Sequence, residues 1–150
     1  MFKLGKTSKS RLEGLDGSLI RAVSYAINIT TVDFFVVEGV RTLEKQKENV
    51  ATGASQTLNS KHLTGHAVDI AAYVERKAVW EGLNMLTVCE SMRKGFQHLE
   101  VSARWGGAWH IPDITKYEGT LEEANLEYVN LRLSQGRKPF IDLPHWELIT

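Results

Sequence analysis

Apolar residues return every three or four positions between Asp16 and about Thr30, so that Leu19, Ile20, Val23, Ala26 and Ile27 share one side of a helix. Asp16 is placed to cap its start. The segment Asp33 to Glu38 is an apolar run bounded by acids, the pattern of a buried strand. Gly39-Val40-Arg41 predicts a turn, and Thr42 caps a short helix that stops near Gly53. The polar stretch Ala54 to Thr64 predicts a loop leading into a strand from about His66 to Tyr73. From about Val74 to Lys94 the periodicity is helical and closes on Arg93, Lys94 and Gly95, a stop signal. Phe96 to Trp105 predicts a further strand, closed by Gly106-Gly107. Thr120 and Glu123 form a capping box for a helix to about Gln135, stopped by Gly136. The tail Pro139 to Ile149 is apolar enough to return to the core as a strand. Helices and strands mix without a strict β-α repeat, which predicts an α+β fold rather than a doubly wound sheet.

No repeat, low-complexity tract or linker divides the chain, so residues 1–150 are expected to form a single domain able to bury a normal core. Hydrophobic residues at 43% and charged residues at 24% argue against disorder. Eighteen basic and eighteen acidic residues cancel, which argues against a broad nucleic-acid surface; no nucleic-acid partner is expected, and the chain is read as a monomer. No apolar run is long enough to span a bilayer, so no stable membrane insertion is expected. The basic start Met1 to Lys6 has no apolar stretch behind it, which places synthesis in a cytoplasm without a secretory signal. The single cysteine, Cys89, cannot form an intramolecular disulfide; it reads as a small buried hydrophobe, with a catalytic thiol the lesser alternative.

Two clusters carry the candidate chemistry. Ser60-Lys61-His62-Leu63-Thr64-Gly65-His66-Ala67-Val68-Asp69 sets His62 in a loop and Asp69 on the following strand, with Gly65 allowing the bend between them. Ala67 shares a strand face with Asp69 and leaves room beside it, while Val68 and Ile70 anchor the opposite face. Asp142-Leu143-Pro144-His145-Trp146-Glu147 supplies a second histidine, with an acid three residues before it. Two histidines and a carboxylate are the protein ligands of an open zinc site, and a remaining acid can serve a hydrolytic water as base. Alone, His62 reads as a surface histidine, Asp69 as a turn or salt-bridge residue and His145 as a core histidine; together they point to a metal-dependent hydrolase. His66 competes with His62 in principle but falls on the face opposite Asp69, and Glu147 is either a reserve base or a partner that orients a ligand histidine. His98 and His110 have no spacing partner.

The pattern Ser60-x-His62-x-x-Gly65-x-Ala67-x-Asp69, followed by Asp142-x-x-His145, resembles the D-Ala-D-Ala metallopeptidase family. Glu38 to Thr42 with Gln46, Trp105 to Trp109, and Asp142 to Leu148 are similar to its phage endolysin branch of L-alanyl-D-glutamate endopeptidases. The resemblance implies a small antiparallel sheet flanked by helices, as in Hedgehog and DD-peptidase domains. It implies zinc held by His62, Asp69 and His145, Asp142 as general base, and Arg41 steadying the developing oxyanion. Gln46 and Ser60 would bind substrate or brace the site, and Trp105 and Trp109 would line the groove or pack in the core, with Trp109 the candidate substrate contact. The implied substrate is the stem peptide of bacterial peptidoglycan, cut at the L-alanyl-D-glutamate bond, with release from the host cytoplasm through a holin. A D-alanyl-D-alanine carboxypeptidase and a non-catalytic zinc-stabilised wall-binding or virion protein are the alternatives. The segment Ile111 to Arg137 is longer than compact endolysins lead one to expect, and Ala108 stands where aspartate is common.

Overall fold

The central apolar strand organises the sheet. In the computed structural model, which describes residues 1–150, β1 (Phe34–Glu38) and β5 (His145–Leu148) flank β2 (Ala67–Val74), and β4 (Ala103–Trp105) pairs with the outer side of β5. A short β3 (Lys77–Val79) pairs with the end of β2, and every pairing is antiparallel. Alternation along β2 separates two faces. Val68, Ile70 and Ala72 join the core with Phe34, Val36, Trp105 and Trp146, while Ala67 and Asp69 point the other way. The α+β class and the helix-flanked antiparallel sheet are therefore as the sequence implies.

Two helices build the core against that face. Helix α2 (Gly17–Ile29) starts where Asp16 accepts from the Ser18 N–H at 2.8 Å, and it buries Leu19, Ala22, Val23, Ala26 and Ile27. Helix α4 (Gly82–Leu99) packs on both α2 and β2. Phe96 of α4 stacks on Trp146 at 5.6 Å, and Trp146 stacks on Trp105 at 5.9 Å. Trp105 is thus a core residue. The Trp105 indole N–H donates to the Leu143 carbonyl at 2.9 Å, and the Cys89 thiol donates to the same oxygen. Burial pushes the Cys89 thiol far up from its ordinary value, so it is an inert core group with no nucleophilic role.

Several elements differ from the sequence expectation, each for a local reason. The helical pattern assigned from Val74 starts later, because Glu75 and Arg76 adopt positive φ and turn the chain into the β2–β3 hairpin. Such a turn is ordinarily signalled by Asn or Gly, which this chain lacks there. Gly95 does not end α4. It sits inside the helix, where a Cβ would come within 2.7 Å of the Ala22 carbonyl oxygen, so it is a close-packing residue between α4 and α2. The helix runs on to Leu99 and stops at Glu100 in the left-handed conformation; the expected strand is left with only Ala103–Trp105. The polar start holds an unexpected helix, α1 (Lys6–Arg11). Its buried Ser8 accepts from the Val36 N–H and Arg11 donates to the Val36 carbonyl, both at 2.9 Å, which satisfies the outer edge of β1. The predicted loop ends in a 3-10 turn, Lys61–Thr64, that carries His62. Helix α3 (Leu43–Ala51), capped by Thr42, and helix α5 (Leu121–Ser134), with its Thr120–Glu123 capping box, form where expected. No helix is long and apolar enough to cross a membrane.

The C-terminal return is interlocked with the Gly106 turn. The Gly106 N–H donates to the His145 carbonyl and the Asp142 N–H to the Gly106 carbonyl, both at 2.9 Å. A Cβ on Gly106 would lie 2.2 Å from the Asp142 carbonyl oxygen and 3.0 Å from the His145 Cβ. Gly106→Ala should therefore cost about 1–3 kcal/mol of stability by forcing these strands apart. Gly5→Ala, with nothing within 4 Å of the added methyl, should unfold at nearly the wild-type urea concentration. Equal urea midpoints for the two variants would contradict this packing account.

Candidate metal centre

The antiparallel register sets the site. Asp69 lies opposite Glu38 on one side and His145 on the other, so one row across the sheet reads Glu38–Asp69–His145. The next row reads Ala67–Glu147–Arg104. Glu38 reaches this face only because a bulge between Val36 and Glu38 adds a residue to β1; unbroken alternation would have turned it toward the core. The 3-10 turn, capped by Ser60 Oγ accepting from the His62 N–H at 3.2 Å, then folds His62 over the row. Gly65 allows this with φ of +77°, and a Cβ there would meet the Gly14 carbonyl oxygen at 2.8 Å.

Three donor atoms converge. His62 Nε2 is 3.2 Å and His145 Nδ1 is 3.1 Å from the same oxygen, Asp69 Oδ1, and the ligating atoms of the three residues lie within 4.8 Å of one another. The far nitrogens are anchored. The Gly39 carbonyl accepts from His62 Nδ1 at 2.8 Å, and the Glu147 carboxylate accepts from His145 Nε2 at 2.8 Å. A neutral His62 that donates from Nδ1 turns its Nε2 lone pair toward a carboxylate oxygen. Acceptors facing one another at that distance need a shared proton or a cation between them. The donor set therefore fits a divalent metal held by His62, Asp69 and His145, with both outer hydrogen bonds of the kind that orient ligand histidines.

The electrostatics follow from the same contacts. Burial opposes charge on Asp69, but its close contacts with His145 and His62 outweigh it and hold the carboxyl well below its ordinary value. Burial likewise opposes protonation of His145, yet the hydrogen bonds to Asp69 and Glu147 push it up to about 10. Asp142 lines the same cavity and is pushed up to about 6 by its burial and by the charge of Asp69. A carboxyl held there can exchange a proton near neutral pH.

The other expected residues fall around this centre with different duties. Arg41 donates through Nε and Nη2 to both oxygens of Glu38 at 2.6 and 2.9 Å, and through Nη1 to Gln46 at 2.5 Å. Its Nη2 is 3.8 Å from Asp69 Oδ2. Gln46 is fully buried and gives its amide N–H groups to Ser55 and to the Thr57 carbonyl. It is thus committed to bracing Arg41 and the loop, with no donor facing substrate. Ser60 is both a turn cap and a lining residue. Trp109 forms a wall, its ring 5.3 Å from that of His145. His66 bonds to Thr64 at 2.7 Å and stays apart, His98 stacks on Tyr25 and His110 on Tyr128. The cavity, of about 560 Å³, also takes in residues to which the sequence motifs assign no role: Glu38, Lys61, Arg104, Tyr128, Arg132 and Phe140. Tyr128 and Arg132 belong to α5, so the long segment Ile111 to Arg137 supplies one wall.

The antiparallel sheet thus brings two histidines and a carboxylate together as a group that could hold a metal ion, with a further acid in the same cavity. The profile of the phage L-alanyl-D-glutamate peptidase family matches residues 1–129, and the chain belongs to that family. It is 31% identical over 135 residues to the L-alanyl-D-glutamate peptidase of Escherichia phage T5, covering 85% of this chain and 98% of that protein. It is 32% identical over 84 residues to the L-alanyl-D-glutamate peptidase of Listeria phage A118, covering 52% of this chain and 27% of that longer protein. Among solved structures, the Serratia marcescens L-Ala D-Glu endopeptidase ChiX superimposes with a TM-score of 0.71 at 27% identity, over 98% of this chain and 90% of that one. The endolysin branch suggested by the sequence motifs is thus the right one.

Metal binding at His145 Nδ1 must displace the proton that this nitrogen gives to Asp69, while Nε2 keeps its hydrogen bond to Glu147. Affinity for a divalent cation should therefore rise with pH from 6 to 8 in calorimetric titrations. Glu147→Gln, which weakens the acceptor on His145 Nε2, should lose about 10–100-fold in metal affinity while remaining folded. Affinity unchanged by both pH and Glu147→Gln would remove the proposed role of this pair.

Proposed function

We propose that the chain, as one domain and a monomer, is a zinc-dependent peptidoglycan peptidase that hydrolyses the L-alanyl-D-glutamate bond of the stem peptide. The convergence of His62, Asp69 and His145 on one point, beside the uncommitted acid Asp142, is the observation that carries this reading. Membership of the phage L-alanyl-D-glutamate peptidase family and the names of the relatives support the choice of bond. Bound by the three ligands, zinc supplies Lewis acidity to the scissile carbonyl and to water. Asp142 takes the proton of the attacking water and returns it to the leaving amine. Arg41, held rigidly by Glu38 and Gln46, presents fixed positive charge toward Asp69 and the reacting carbonyl, where a developing oxyanion gains from it. Trp109 and Ser60 flank the peptide. The enzyme reaches the wall after another component, of holin type, opens the membrane.

The test uses purified peptidoglycan with mass spectrometry of the products. The wild-type protein should free the stem peptide after its first L-alanine, and a chelator should stop the reaction until zinc is restored. Asp142→Asn should lower kcat by about 100-fold or more while keeping one zinc per chain. Arg41→Gln should lower kcat by about 100-fold, the size of a lost oxyanion donor. Loss of terminal D-alanine instead would assign a carboxypeptidase, and full lysis by Asp142→Asn would remove the proton-transfer scheme.

A further inference from the structure

Of the four acids of the cavity, Asp142 serves the proposed mechanism and the other three are engaged within the fold. Glu38 is bound by Arg41, Asp69 by the two histidines, and Glu147 by His145 with Lys61 at 3.6 Å. Two arginines facing the same cavity are not. Arg104 and Arg132 have no carboxylate within 4.0 Å, in contrast to Arg41 and Arg93. Each guanidinium carries five N–H donors, and one is used in each case. Arg104 donates to the Trp109 carbonyl and Arg132 donates to the Lys138 carbonyl at 3.2 Å. The Nε of both is buried without a partner.

Both cations are nevertheless held in place. Arg104 lies over the Trp109 ring at 5.2 Å and Arg132 over the Tyr128 ring at 5.8 Å, so aromatic faces fix the planes while Nη2 of each bonds to a backbone carbonyl and Nη1 makes no hydrogen bond within the fold. Register places Arg104 opposite Glu147 and therefore diagonal to His145, on the order of 7 Å between Cα atoms. That separation lies within one residue of a peptide whose carbonyl sits at the ligand cluster. Arg132 comes from α5, in the long segment that the proposed mechanism leaves unused.

We infer that Arg104 and Arg132 form a carboxylate-binding wall that reads the free α-carboxylate of the D-glutamyl residue on the leaving side of the scissile bond, which makes α5 a specificity element. This inference rests on the peptidase reading above. A planar fork with unused N–H donors suits a carboxylate, and truncating it removes binding in ground and transition states alike, a change in KM rather than in kcat.

The experiment compares two synthetic substrates on the zinc-loaded full chain. One is L-alanyl-D-glutamyl-L-lysine amide, joined through the glutamyl γ-carboxyl so that its α-carboxylate is the only free acid. The other is the same peptide with that acid as a carboxamide. Wild-type KM should be about tenfold or more lower for the acid, with kcat within about twofold. Arg132→Gln and Arg104→Gln should each raise KM for the acid toward that of the carboxamide, while KM for the carboxamide moves far less. Arg132→Lys should restore part of the preference. Equal wild-type KM values for the two substrates, or variants that lose the same factor on both, would overturn the inference and leave the peptidase reading intact. The wild-type comparison decides even if Arg104→Gln misfolds. Cleavage of neither peptide by the wild-type protein overturns the peptidase reading, and the inference with it.

Discussion

Everything at the candidate centre depends on one cross-strand pairing, Asp69 on β2 opposite His145 on β5. The two residues are distant in sequence, and only the antiparallel register brings their side chains to one face. A slip of one residue along β5 would turn His145 into the core and Trp146 out to the cavity. The Phe96–Trp146–Trp105 stack prevents that slip, because Trp146 fits only on the core face. The apolar side of the sheet therefore fixes the chemistry of the polar side. The Leu143 carbonyl, gripped by Trp105 and Cys89, tethers the turn that carries Asp142 from the same core.

Around that pairing the charges are graded. Asp69 stays ionised because two imidazoles face it, despite its burial. Asp142, close to that charge and largely buried, is left near the protonation boundary. Two carboxyl groups in one cavity are driven apart in proton affinity by what surrounds them, which is the difference that the proposed ligand and the proposed base require. Arg41 is made rigid by Glu38, which a β-bulge delivers to the site face, and by Gln46, which a buried helix position delivers from the other side.

Much of this was legible in the sequence because it is local. Asp16, Thr42 and the Thr120–Glu123 box mark helix starts through hydrogen bonds made within three residues. The alternation at Val68, Asp69 and Ile70 assigns the faces of β2 without any partner strand. Long-range events were not legible. The bulge that turns Glu38 outward, the Glu-Arg hairpin turn before Lys77 and the burial of Gly95 against Ala22 leave no local signature. Arg104 escaped notice for the same reason: a three-residue strand has too little pattern to show its face until Glu147 is seen opposite it. The α5 helix was visible, but its contribution of Tyr128 and Arg132 to the cavity was not.

The most direct test of the central claim is X-ray absorption spectroscopy at the zinc edge on the loaded protein. Ligation by His62, Asp69 and His145 predicts a shell of nitrogen and oxygen only, with outer-shell scattering from two imidazoles. A sulfur neighbour, or scattering from fewer than two imidazoles, would contradict the convergence of these three residues on one ion.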